Sequence, residues 1–297
     1  MKIRIGVSAG PGLFDPVELC TLADDLVDLG FDSLWLPEVL SAPTLDPLVG
    51  LAWAGAHNPR LKLGTTMLLP GCNPLRLAKQ VAVLDTLSGG RCLVTFVPGL
   101  ARGPDRRAVG PAPAARGAAM DELLPLLRRL WSGEPVSYDG DGYGYGFADV
   151  RLSPLPLQDP FDVWLGGTAR ASLVRCGRLA DGWLPSMCTP EEALAGRAVV
   201  EEAAAGADRA ISPEHFGVSI GYSEGPLDDG ARAALSVLSR GRPLDDLVPV
   251  GHGALVELIQ RFVAVGFSKF VVRPVRQPDD RRRETERLAS AVVGLQT

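Results

Sequence analysis

Short apolar runs alternate along this chain with longer amphipathic stretches, and turn residues separate the two. The first run, 2–8, reads as a buried strand. Asp15-Pro16-Val17-Glu18 then opens a helix: aspartate suits the N-cap, proline the first turn, and Glu18 the far corner of a capping box. Leu19, Ala23, Leu26 and Val27 give that helix an apolar face, and Gly30 supplies the residue past its end. The same grammar repeats. A strand at 33–36 precedes a helix opened by Asp46-Pro47. Another at 61–69 precedes a helix opened by Asn73-Pro74, whose Leu77, Ala78, Val81 and Leu84 face inward. Ser88-Gly89-Gly90 ends that helix, and a fourth strand occupies 92–97.

The later chain continues the theme, with strands at 161–165, 182–185, 216–221 and 269–273 and a helix over 168–179. Alternating strands and helices with short links predict a parallel α/β sheet. Eight such strands in one chain predict a TIM barrel, (β/α)8, as a single domain over 1–297. Two inserted stretches break the alternation. Residues 100–117 show no period and read as a long loop at the C-terminal mouth, a lid or substrate-binding element. Residues 135–157 carry Tyr138, Tyr143, Tyr145 and Phe147 among glycines and read as a hairpin-like excursion.

Composition narrows the function classes. Apolar residues make up 46% of the 297, enough for a sizeable core. The 30 basic and 35 acidic residues leave a net charge of −5, which argues against a nucleic-acid partner. No run is long enough for a spanning helix, and no apolar segment typical of a secretory signal follows Met1, so no membrane is expected. Five cysteines without CxxC spacing make a disulfide framework or a structural zinc site unexpected and fit a reducing cytoplasm; no metal site is predicted.

Enzymes on this fold work at the C-terminal ends of the strands. The residues there are Pro37-Glu38, Thr66-Met67, Pro98-Gly99, Gly166-Gly167-Thr168, Pro185-Ser186 and Arg273-Pro274. Glu38 is the one carboxylate directly at a strand end, and no histidine lies there. Such a site suits a cofactor that carries the hard chemistry while the protein positions it. In Trp164-Leu165-Gly166-Gly167-Thr168 a strand ends, two glycines remove bulk and threonine can cap a helix, so backbone N–H groups can hold a phosphate; the same residues also make a plain tight turn.

An ordered series of motifs carries a resemblance. It begins with Leu63-Gly64-Thr65-Thr66, Leu69-Pro70, Asn73-Pro74 and Leu77-Ala78-Lys79-Gln80. It continues through Leu84-Asp85-Thr86-Leu87-Ser88-Gly89-Gly90-Arg91 and Trp131-Ser132-Gly133. It ends in Val163-Trp164-Leu165-Gly166-Gly167 and Asp181-Gly182-Trp183-Leu184-Pro185. The chain resembles the luciferase-like flavin and deazaflavin oxidoreductases, most closely the branch that uses coenzyme F420. That resemblance implies an oxidoreductase passing a hydride between F420 and a small-molecule substrate, and a homodimer. FMN-dependent monooxygenation and a cofactor-binding barrel without turnover are the alternatives.

The resemblance further implies a cofactor ring in the mouth, contacted by Pro37, Glu38, Thr66, Met67, Gly99, Pro185 and Ser186. Its phosphate would lie at Gly166, Gly167 and Thr168, its ring would be backed by a strand-three bulge with a cis Thr66–Met67 bond, and Glu38 would be the catalytic residue. Two positions depart from the family. Val39 stands where many F420 enzymes carry a histidine, and Pro98-Gly99-Leu100 where the glucose-6-phosphate branch carries a glutamate; a sugar-phosphate dehydrogenase is therefore not expected.

Overall fold

The computed structural model describes residues 1–99, 110, 115–140 and 146–297. The first half of the chain runs β1 (Arg4–Ser8), α1 (Pro16–Asp28), β2 (Ser33–Pro37), α2 (Pro47–His57), β3 (Lys62–Leu68), α3 (Pro74–Ser88), β4 (Cys92–Val97) and α4 (Arg116–Trp131). A small pair, β5 (Val136–Tyr138) and β6 (Phe147–Val150), follows. The second half runs β7 (Val163–Leu165), α5 (Arg170–Leu179), β8 (Gly182–Trp183), α6 (Pro190–Ala205), β9 (Gly217–Tyr222), α7 (Asp229–Ser239), α8 (His252–Ala264), β10 (Lys269–Pro274) and α9 (Arg281–Val292).

Eight strands pair in parallel in the order β8-β7-β4-β3-β2-β1-β10-β9. Bridges Trp183↔Phe216 and Ser186↔Ser219 bring β8 against β9, so the sheet curls into a nearly closed TIM barrel with the helices outside. β5 and β6 form the antiparallel excursion expected over 135–157. The expected loop at 100–117 falls outside the described residues except for Gly110 and the entry to α4.

The caps match the sequence grammar. Asp15 accepts from the N–H groups of Val17 and Glu18, Asp46 from that of Val49, and Asn73 from that of Arg76. Glu18 departs from its expected capping-box role: its carboxylate pairs with Arg281 at 2.7 Å and ties α1 to α9. Thr189 and Glu192 form a reciprocal capping box that starts α6.

Strand periodicity sorts side chains into two cores. Ile5, Leu34, Leu63, Val94, Val163, Val218 and Val272 point outward into the shell beneath the helices. Trp35, Leu184 and Val271, with Leu93 and Trp164, fill the barrel itself. Glycines make that interior possible: a Cβ on Gly64 would stand 2.2 Å from the Trp35 ring, and one on Gly182 would stand 2.3 Å from the Trp164 ring. Beneath the two tryptophans a cavity of about 120 Å³ opens toward Arg4, Asp32, Lys62 and Lys269 at the N-terminal end of the barrel. That end is lined by ion pairs such as Lys62–Asp32 at 2.8 Å and lies opposite the expected site.

The strand-three expectation is corrected. Among the described residues the cis bonds are Ser153–Pro154 and Asp159–Pro160, and Thr66–Met67 is trans. β3 carries no bulge there, because Thr66, Met67 and Leu68 stay in register with Thr95, Phe96 and Val97. Thr66 shares the inward face with Gly64, whereas Met67 is buried in the outer core.

Candidate active site at the C-terminal mouth

The ends of β2 and β3 are locked by Glu38. Its N–H donates to the Thr66 carbonyl at 2.8 Å, and its Oε2 accepts from the Leu68 N–H at 2.7 Å. Burial raises the Glu38 carboxyl above its ordinary range; the Leu68 N–H opposes that shift and nearby Asp46 adds to it. The side chain is thus a half-buried carboxyl with one oxygen held by backbone. Pro37 precedes it at the end of β2, while Val39 and Leu40 are exposed.

Cys72 sits beside this corner and donates its S–H to the Leu68 carbonyl at 3.0 Å. Burial pushes its thiol up to about 11, so at neutral pH it is protonated and a poor nucleophile. All three histidines serve structure. His57 meets Asp24 at 2.8 Å, His215 meets the Asp181 carbonyl at 2.9 Å, and His252 meets Glu284 at 2.7 Å. Among the described residues no group of three or more His, Cys, Asp or Glu could hold a metal ion.

The ends of β4, β7 and β8 converge on the glycine pair. The Gly166 N–H donates to the Phe96 carbonyl at 3.0 Å, and the Leu184 N–H donates to that of Leu165 at 2.9 Å. A Cβ on Gly166 would stand 2.7 Å from Val97 Cγ1 and 3.2 Å from the Leu184 carbonyl. Gly167 has φ +104, a conformation that any side chain would strain. Gly99, at the end of β4, has φ +76. Pro185 accepts from the Ser219 N–H at 2.8 Å, and Ser186 is exposed beside it.

Thr168 does not cap α5 as expected. The N-cap is Ala169, with φ −70 and ψ 143 and no side-chain hydrogen bond, so the first N–H groups of α5 lack a capping oxygen. The Thr168 hydroxyl instead accepts from Arg240 Nη1 at 3.2 Å. Thr168 and Arg240 line a groove of about 550 Å³ together with Arg170, Arg242 and Glu192. Arg242 is neutralised by Glu192 at 2.6 Å. An open helix N-terminus beside Arg170 and Arg240 is an electropositive cradle. Arg170 and Arg240 had no period or motif to announce them; they reach the site only through the folding of α5 and the end of α7.

Asp181 buttresses this region from below. Its carboxylate accepts from Arg128 at 2.7 Å, from the Val163 N–H at 2.8 Å and from Arg209 at 3.1 Å. These bonds fix β7 and β8 against α4 and thereby the height of the glycine pair.

Comparison with known proteins agrees with this architecture. Residues 1–272 match the family described as luciferase-like monooxygenase. An F420-dependent glucose-6-phosphate dehydrogenase from Nakamurella multipartita is 31% identical over 222 residues, which cover 68% of this chain and 63% of that enzyme. An FMNH2-dependent dimethylsulfone monooxygenase from Pseudomonas putida is 32% identical over 130 residues, 42% of this chain and 35% of that enzyme. The chain thus spans less than two thirds of the length of these relatives. Among solved structures, an F420-dependent secondary alcohol dehydrogenase bound to an F420-acetone adduct superposes over all of both chains with a TM-score of 0.82 at 18% identity.

Proposed function

The chain belongs to the luciferase-like monooxygenase family, and from that premise we propose that it is an F420-dependent oxidoreductase acting on a small organic substrate. The observation that carries this reading is the uncapped N-terminus of α5 behind Gly166 and Gly167, flanked by Arg170 and Arg240. The residues fit a cofactor with a phosphate and an anionic tail: side chains at the two glycines would close the approach, and the groove beyond supplies positive charge.

Bound there, the deazaflavin supplies a ring carbon that accepts or returns a hydride. The protein does the rest. Gly166, Gly167 and Ala169 present backbone to the phosphate, and the ends of β2, β3 and β4 form the seat for the ring through Pro37, Thr66 and Gly99. Holding both reactants in one geometry replaces a two-body encounter. Glu38 holds or releases the substrate proton at its carboxyl, taking the place of the histidine that Val39 lacks. Met67 supports this seat from the outer core rather than lining it. The F420-dependent relative from Nakamurella acts on glucose 6-phosphate; Pro98-Gly99 in place of that branch's glutamate supports a different substrate here.

FMN-dependent monooxygenation is the second reading, supported by the dimethylsulfone enzyme among the relatives. Anaerobic mixing with F420 and a panel of alcohols and ketones tests the first. Loss or gain of deazaflavin absorbance with any member supports hydride transfer. Turnover seen only with reduced FMN and oxygen contradicts it. The homodimer is likewise a proposal, supported by the exposed apolar face of Val17, Val49 and Trp53 on α1 and α2.

Glu38 makes this testable by pH. Acting as base, it must be ionised, and its pKa is raised by burial. Substrate oxidation should therefore rise with pH through a limb above the ordinary glutamate value of about 4.3. Glu38→Gln should remove that limb and lower kcat about 100-fold. An unchanged acid limb in the variant would assign the proton to another group.

A further inference from the structure

The upper layer of the barrel interior is polar, and two of its buried hydroxyls have no hydrogen-bond partner. Strand alternation sets its members. Gly6, Gly64, Leu93, Leu184, Gly217 and Val271 line the middle of the barrel around Trp35 and Trp164. Two residues further along each strand the same face carries Ser8, Thr66, Thr95, Ser186, Ser219 and Arg273. Five hydroxyls therefore share this layer with one guanidinium.

Arg273 is the unusual member. It sits next to last in β10, in register with Gly221 of β9. A Cβ on Gly221 would stand 3.7 Å from its Nη2, so glycine on the neighbouring strand leaves the guanidinium its space. Among the described residues Arg273 makes no ion pair and no side-chain hydrogen bond, whereas most of the other described arginines pair with a carboxylate or carbonyl. Its side chain is half-buried, and the partial loss of water around it depresses its pKa. The layer carries two more unmet groups: Ser8 Oγ and Thr95 Oγ1 are fully buried and have no hydrogen-bond partner. Thr95 stands across the barrel from Arg273, because β4 and β10 lie four strands apart in the sheet order.

An unpaired, half-buried cation next to the buried, orphaned Ser8 hydroxyl offers an anion both a charge and a donor on one inward face. The cradle at α5 already accounts for the cofactor phosphate, and it lies beside β7, three strands from β10. We propose that Arg273, with Ser8, forms an anion subsite that receives the carboxylate or phosphate of the substrate in the β9–β10–β1 sector of the mouth. The substrate class is thereby narrowed to small organic acids or phosphate esters. This deepens the reading above and depends on it for the reaction, but the anion site itself does not.

Calorimetric titration of the full chain with benzoate, acetate and inorganic phosphate, each alone and with saturating F420, tests it. Benzamide serves as the neutral control, and Arg273→Gln and Arg273→Lys as variants. The expected result is saturable binding of at least one anion, weakened at least about tenfold in Arg273→Gln and partly restored in Arg273→Lys, with benzamide failing to bind. F420 affinity stays within about twofold in both variants, and Arg273→Gln melts no lower than wild type, because the half-buried guanidinium it removes has no protein partner. Better binding of phosphate than of carboxylates selects phosphate esters, and the reverse selects organic acids. Anion binding unaffected by Arg273→Gln, or no anion bound at all, overturns the subsite. So does a fall in F420 affinity of at least about tenfold, which assigns the arginine to the cofactor. A lower melting temperature in Arg273→Gln makes the residue structural and overturns it too. If wild type binds an anion through Arg273 yet fails to bind F420, the proposed function falls and the subsite stands.

Discussion

Ala169→Asp should make the protein more stable and at the same time cripple cofactor binding. Ala169 already has the backbone of an N-cap and offers no oxygen to α5. Aspartate there would accept from the first free N–H groups and meet the positive end of the helix, a gain of about 1 kcal/mol. The same carboxylate would occupy the place proposed for the phosphate and repel it. Affinity for F420 or FMN should fall roughly 100-fold, about 2.7 kcal/mol. Ala169→Asn separates the two causes, since it caps without charge: it should raise the melting temperature similarly and weaken binding less. Thermal unfolding paired with a fluorescence titration reads both. A more stable aspartate variant with wild-type affinity would move the phosphate away from α5.

The glycine pair was legible in the sequence because a strand ending in two glycines before a helix is a local signal. The helix cap was misread for an equally physical reason. Thr168 and Ala169 are adjacent, and only the observed backbone assigns the N-cap to alanine and turns threonine toward Arg240. Strands, helices and their order followed from periodicity and from Asp-Pro and Asn-Pro starts, whose caps depend on neighbours a few residues away. Long-range partners escaped. Nothing near Glu18 announces Arg281, and nothing near Glu38 announces the Leu68 N–H that holds it. The cis bond inferred for Thr66–Met67 came from family likeness alone, and the regular ladder of β3 with β4 does not carry it.

Gly64→Leu should be among the most damaging single substitutions in the barrel. Gly64 reads as an ordinary strand glycine until the Trp35 indole is seen lying against it. A Cβ would overlap the ring at 2.2 Å, and a leucine would force Trp35 from its bond to the Ser33 hydroxyl at 2.9 Å. Overpacking of this kind costs roughly 1–3 kcal/mol, toward the upper end here because the clash is with a rigid indole ring. Because the cause is one clash, Trp35→Ala in the same chain should recover part of the loss. The double variant should be more stable than the two single losses add up to by at least about 1 kcal/mol. Denaturant unfolding of all four proteins measures it; strict additivity would place Trp35 away from Gly64.

The account's central claim is that the mouth above β7 and β4 is built for an F420-type cofactor held by its phosphate at α5. Equilibrium titration of the wild-type chain with F420, monitored by deazaflavin fluorescence and repeated with FMN, tests it most directly. The account predicts saturable F420 binding, tighter than FMN because Arg170 and Arg240 meet the longer anionic tail, and weakened by Ala169→Asp. No saturable F420 binding, or tighter binding of FMN, would contradict it.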